Sequence, residues 1–181
     1  MDDVFNDAGR IESINVSRGG VPKTPVFEAL VTVGGIDGDR QRDRQFHGGP
    51  ERAVVLFSLD VIRALQREGH PINIGTTGEN LTVSGIDWTA ISPGVELEIG
   101  GARLVITKYA SPCEKIRRSF LDEDFTRISQ KLHAGWSRLC ARVVTEGIVR
   151  IGDQVKLIEI DRLRTSVSSG TSSIPPVSPS R

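Results

Sequence analysis

Cysteine is scarce: the 181 residues hold only Cys113 and Cys140, alongside one tyrosine, one methionine and three histidines. Small secreted scaffolds are denser in cysteine, so two free thiols in a reducing compartment are the expectation. With few histidines and no CxxC or HExxH pattern, the chain also lacks the donor spacing of a zinc site. There is no Walker loop, no GxGxxG after a strand and no GxSxG elbow, which leaves nucleotide hydrolysis, dinucleotide redox chemistry and serine hydrolysis without their signatures. No stretch approaches the roughly 18 apolar residues that span a bilayer, and Met1-Asp2-Asp3-Val4-Phe5-Asn6-Asp7 has no apolar signal core. An excess of one charge is missing too. Lys+Arg and Asp+Glu each total 23, so no global field recruits nucleic acid, and any anion site must be local. These absences predict a cytoplasmic protein with neither a membrane nor a nucleic-acid partner.

What is present is globular: 38% apolar and 25% charged residues in a length suited to one domain. Residues 1–9 read as a flexible N-terminus and 164–181 as a disordered Ser- and Pro-rich tail, leaving a folded unit over 10–163. Inside it, short β-branched runs punctuated by glycine predict strands at Gly9 to Ser17, Phe27 to Val33, Ala53 to Phe57, Val95 to Ile99, Arg103 to Lys108, Ala141 to Glu146 and Gln154 to Glu159. Alternation on both sides of Gly100-Gly101 predicts a hairpin. Apolar residues at helical spacing predict a helix over Leu59 to Glu68 ending at Gly69, and a second, shorter one is expected within Asp124 to Leu132. Short strands around one core argue for a barrel or sandwich with small peripheral helices rather than βαβ winding.

Three segments can carry chemistry. In Gly38 to Val54, Arg40, Arg42, Arg44, Arg52 and His47 flank Gly48-Gly49-Pro50, a corner whose amides could converge on an anion; a solvated, salt-bridged loop is the alternative. In Gly75 to Gly85, glycines and short polar side chains could satisfy a heterocycle, or simply form a surface turn. In Lys108 to Arg118, Pro112 stiffens the approach to Cys113, and Lys108, Lys115, Arg117 and Arg118 would favour a thiolate able to bind a soft metal or attack an electrophile. A Cys113–His47 nucleophile pair is also compatible with the sequence. Cys140, within an apolar run, reads as inert packing.

In this order, Gly38-Asp39 through His47-Gly48-Gly49-Pro50, Gly78-Glu79-Asn80-Leu81-Thr82 and Ser111-Pro112-Cys113 resemble the MOSC domain, named for the C-terminal domain of molybdenum-cofactor sulfurases. The similarity is nearest to the small stand-alone bacterial members and runs from about Arg10 to Glu159. The resemblance implies a mainly β fold: a strongly bent β-barrel of the kind also seen in the pyruvate-kinase β-barrel, with a few peripheral helices. It implies the molybdenum cofactor, a pyranopterin dithiolene with a phosphate, and it makes Cys113 the molybdenum ligand and catalytic residue. His47, Gly48, Gly49, Gly78, Glu79 and Asn80 fall on matched motif positions as cofactor contacts, and Arg40 and Lys108 are further candidates.

The chain lacks the large pyridoxal-phosphate-binding domain of the sulfurases, the N-terminal β-domain of amidoxime-reducing relatives, and any ferredoxin-like cysteine set. An external redox or sulfur-donor protein is therefore expected. Three functions are compatible with these residues: a molybdenum-dependent reductase of N-hydroxylated compounds, a cofactor or sulfur carrier using a Cys113 persulfide, and a β-barrel binding another phosphorylated ligand with Cys113 incidental.

Overall fold

Strand-forming runs dominate the chain, and hydrogen bonds between them close a barrel. The computed structural model describes residues 8–40 and 49–158. Its elements are β1 (Gly9–Val16), β2 (Thr24–Val26), β3 (Glu28–Thr32), β4 (Gly35–Ile36), β5 (Val54–Ser58), α1 (Leu59–Arg67), β6 (Leu81–Ser84), β7 (Glu96–Ile99), β8 (Ala102–Ala110), β9 (Arg138–Thr145), β10 (Gly147–Arg150) and β11 (Gln154–Ile158). Seven strands follow the cyclic order β1-β6-β5-β9-β8-β7-β11, and β11 pairs back to β1 through Gly9↔Val155. β2 adds to β1 as an extra strand, and β10, β3 and β4 form a small second sheet. Bulges in β1 between Ile11 and Ser13, and in β8 at Arg103/Leu104 and Ile106/Lys108, bend the wall.

The interior is built from the alternation visible in the sequence. Ile11, Ile14, Leu56, Leu97, Leu104, Leu139 and Val155 point inward and are buried. α1 packs Leu59, Ile62 and Leu65 against the barrel. Its start is capped by Ser58 Oγ, which accepts from Val61 N at 3.3 Å. Its end is a Schellman turn, in which His70 N donates to Leu65 O and Gly69 N to Gln66 O around Gly69 at φ 93°.

Two expectations need correction. Leu81–Ser84 is a strand rather than part of a loop, and it runs parallel to β5, so one β-α-β unit sits inside an otherwise antiparallel barrel. A strand buried on both faces shows no alternation, and Leu81, Thr82 and Val83 are all buried. The second helix is only a 3-10 turn over Phe125–Ile128, because Asp124 caps Thr126 N and Ser129, at ψ 123°, turns extended. The turn is closed by Ser129 N donating to Thr126 O at 2.8 Å.

The β9–β10 corner packs directly on the β7–β8 turn: a Cβ on Gly147 would lie 2.1 Å from the Gly101 carbonyl oxygen. Neither backbone can yield without breaking a sheet. Gly147→Ala is expected to lower unfolding free energy by about 1–3 kcal/mol in urea denaturation, the range for overpacking a filled site.

Candidate functional site

The loops that follow β1 and β8 and precede β6 meet at one end of the barrel and enclose a cavity of about 410 Å³. Its walls come from Ser17 and Lys23 in the loop after β1, Arg40, Arg52, Val55 on β5, Thr77, Gly78 and Asn80 before β6, Ser111, Cys113 and Lys115 after β8, and Arg138 and Cys140 on β9. Among the described residues its lining has five cations, Lys23, Arg40, Arg52, Lys115 and Arg138, and no carboxylate. The volume is within the range of small-molecule sites, and the charge selects an anion.

Carboxylates are nonetheless present, buried behind the wall. Asp39 accepts from Ser17 N at 2.8 Å, from Asn80 Nδ2 at 2.8 Å and from Lys23 Nζ. Glu79 accepts from Gly75 N at 2.6 Å and Thr77 Oγ1 at 2.7 Å, drawing the 75–78 turn onto its side chain. Gly75 is required there, since it sits at φ 81° with Lys23 O 2.3 Å from where a Cβ would be. Asn80 accepts from Val55 N at 3.0 Å and donates to Asn15 O at 3.3 Å as well as to Asp39.

The sequence candidates separate into groups. Arg40, Gly78, Asn80 and Cys113 line the cavity. Glu79 is fully buried and braces the wall from behind. Gly49 caps a 3-10 turn over Pro50–Arg52, and Lys108 is exposed on β8; neither is among the lining residues. His47 and Gly48 lie outside the described residues. Of the four cations expected around Cys113, only Lys115 lines the cavity. Arg117 instead pairs with Glu114 and Glu123 on the surface.

Two of the five lining cations, Lys23 and Arg138, are residues that sequence reasoning missed. Lys23 carried no motif signal. Arg138 is embedded in Ser137-Arg138-Leu139-Cys140-Ala141 and is only 7% exposed. A long cation inside an apolar strand was the available clue. Burial holds the Arg138 guanidinium below its ordinary range, opposed by the nearby charge of Glu79. Cys140 packs at 1% exposure, as its apolar context predicts, yet it also lines the cavity. Burial pushes its thiol up, partly offset by Arg52 and Arg138.

Cys113 is half-buried in extended backbone just before the 3-10 turn over Glu114–Ser119. Among the described residues no three His, Cys, Asp or Glu side chains gather to hold a bare metal ion.

Comparison with known proteins agrees with this architecture. The family model described as the MOSC domain matches residues 43–156. The uncharacterized protein YflK of Bacillus subtilis is 27% identical over 142 residues, covering 77% of this chain and 63% of YflK. Protein YiiM of Escherichia coli is 27% identical over 114 residues, covering 60% and 51%. This chain thus spans less than two thirds of the length of either relative. Among solved structures, YiiM from Geobacillus stearothermophilus superposes with a TM-score of 0.63 at 24% identity, over 83% of this chain and 75% of that one. YiiM from Escherichia coli does so at 0.61 and 22%, over 83% and 70%. No helix among the described residues is long and apolar enough to cross a membrane.

The two thiols differ in access, which predicts biphasic alkylation. With iodoacetamide at neutral pH, Cys113 is expected to react in a fast phase that Cys113→Ser removes. Cys140 should label slowly until denaturant is added or pH rises above the ordinary thiol range, because it reacts as the thiolate that burial disfavours. Equal rates would contradict the assignment of Cys113 as the accessible sulfur.

Proposed function

The chain belongs to the MOSC domain family, and from that premise we propose that its cationic cavity binds the molybdenum cofactor with Cys113 as the thiolate ligand to molybdenum, in a reductase of N-hydroxylated compounds. The observation that carries this reading is the accessible thiol in the wall of a cavity lined, among the described residues, by five cations and no carboxylate. The residues fit such a group on three counts. The cations match a phosphorylated, anionic pterin. Ser111, exposed in the lining, offers a hydroxyl to a heterocycle. One soft donor completes a metal that already carries a dithiolene.

Each part of the chain has a task in this reading. Lys23, Arg40, Arg52 and Arg138 bind and orient the anion, and Asp39 fixes Lys23 in place. Pro112 and the turn beginning at Glu114 hold the Cys113 sulfur at the wall. The bound cofactor supplies two-electron chemistry that converts an N–OH group, two electrons and two protons into N–H and water. Electrons come from an external redox protein, and the protein works in the cytoplasm, where both thiols stay reduced.

Carriage without turnover is a second reading, favoured by the position of Cys113. A half-buried sulfur at a loop end can meet a sulfur-donor protein directly. It requires a Cys113 persulfide and no reduction.

Expression in a host replete in molybdenum cofactor tests both. We expect stoichiometric molybdenum by metal analysis, loss of most of it in Cys113→Ser, and reduction of an N-hydroxylated purine by wild type with a chemical reductant. A persulfide mass on Cys113 with no turnover would select carriage. Wild type without molybdenum under these conditions would exclude the reductase reading.

A further inference from the structure

Arg138 stands apart from the other cations of the cavity. Lys115 and Arg40 are exposed at its rim, whereas Arg138 projects from β9 and is almost completely withdrawn from water. Its guanidinium reaches across the barrel end. Nη1 donates to the carbonyl of Thr77, and Nη2 donates to the carbonyl of Ser111 at 3.4 Å. Those carbonyls belong to the two loops that carry Gly78 and Cys113, so one side chain ties together the walls on either side of the opening.

These contacts engage Nη1 and Nη2 and bring no carboxylate into direct contact with the charge. Among the described residues no carboxylate lies within ion-pairing distance of Arg138, and its Nε has no hydrogen-bond partner. Glu79 supports the charge only through space, with its oxygens committed to Gly75, Thr77 and Thr82. A buried, unpaired guanidinium is expensive, and a strand interior would ordinarily hold an apolar residue instead. Among the described residues, the lining of the cavity brings in no carboxylate.

We propose that Arg138 is the inner oxyanion receptor of the cavity: a phosphate monoester is its missing counter-ion, and binding that anion also fixes the spacing between the Thr77 and Ser111 loops. The ligand could be the phosphate of the cofactor, in which case the inference rests on the function proposed above, or a free phosphorylated metabolite. The recognition chemistry is the same. A planar guanidinium meets phosphate oxygens through charge-assisted hydrogen bonds in a site poor in water.

The test uses full-length protein from a host unable to make molybdenum cofactor, with thermal unfolding followed during titration with inorganic phosphate at constant ionic strength. Wild type is expected to gain stability with phosphate. Arg138→Gln should weaken the apparent affinity about tenfold or more, as expected for loss of a charged hydrogen-bonding partner, whereas Lys115→Gln at the rim should weaken it much less. Should Arg138→Gln fail to fold, Arg138→Lys serves instead. It keeps the charge without the fork and should bind phosphate more weakly than wild type. Equal phosphate responses in wild type and the Arg138 variant, or no response in wild type, would overturn the proposal. The two sources are separated by metal analysis of the same variants from a cofactor-replete host. Loss of molybdenum with Arg138→Gln identifies the cofactor phosphate, and unchanged molybdenum with a weakened phosphate response identifies a free phosphorylated ligand. Absence of molybdenum from wild type would count against the proposed function without touching the phosphate result.

Discussion

The side-chain amide of Asn80 holds the end of the barrel together. Its oxygen accepts from the backbone of β5, and its nitrogen donates to the backbone of β1 and to Asp39. Three segments far apart in sequence are thereby set at one spacing, and just before β6 the backbone N of the same residue donates to Val55 O while its carbonyl accepts from Asn15 N. A buried amide left partly unsatisfied costs about 1–3 kcal/mol, so the arrangement tolerates little alteration. The cavity takes its shape from this bracing. Thr77, Gly78 and Asn80 line it because Glu79 and Asn80 draw the preceding turn inward.

Placing the acids behind the wall gives the site its charge. Asp39 and Glu79 spend their oxygens on backbone amides, hydroxyls and Lys23. They position the lining without exposing negative charge to a ligand, while the cations remain at the surface of the cavity. A chain with no net charge can in this way gather positive charge on the described lining of one cavity.

The sequence was most informative where a local pattern has a single structural solution. The alternating residues of β1 and the β7–β8 hairpin, and the capped, amphipathic α1 ending at Gly69, all formed where expected. β6 escaped because Leu81, Thr82 and Val83 are buried together and resemble a turn followed by a short apolar stretch. The expected second helix reduces to a 3-10 turn ended by extended Ser129, and its Arg127 lies over the Trp136 ring at 3.9 Å and pairs with Glu68, contacts that no local window contains. The site followed the same division. Gly78, Asn80 and Cys113 were legible as short motifs, whereas Lys23 and Arg138 reach the cavity only through tertiary packing.

The barrel closes by pairing its first and last described strands, with Gly9 opposite Val155. During synthesis, β1 must wait for nearly all of the described chain before it meets β11, and such distant pairing is slow to form. Until then the lips of the cavity have no fixed separation. The cavity is therefore a late product of folding, and its walls reach their working separation only once β11 has joined β1.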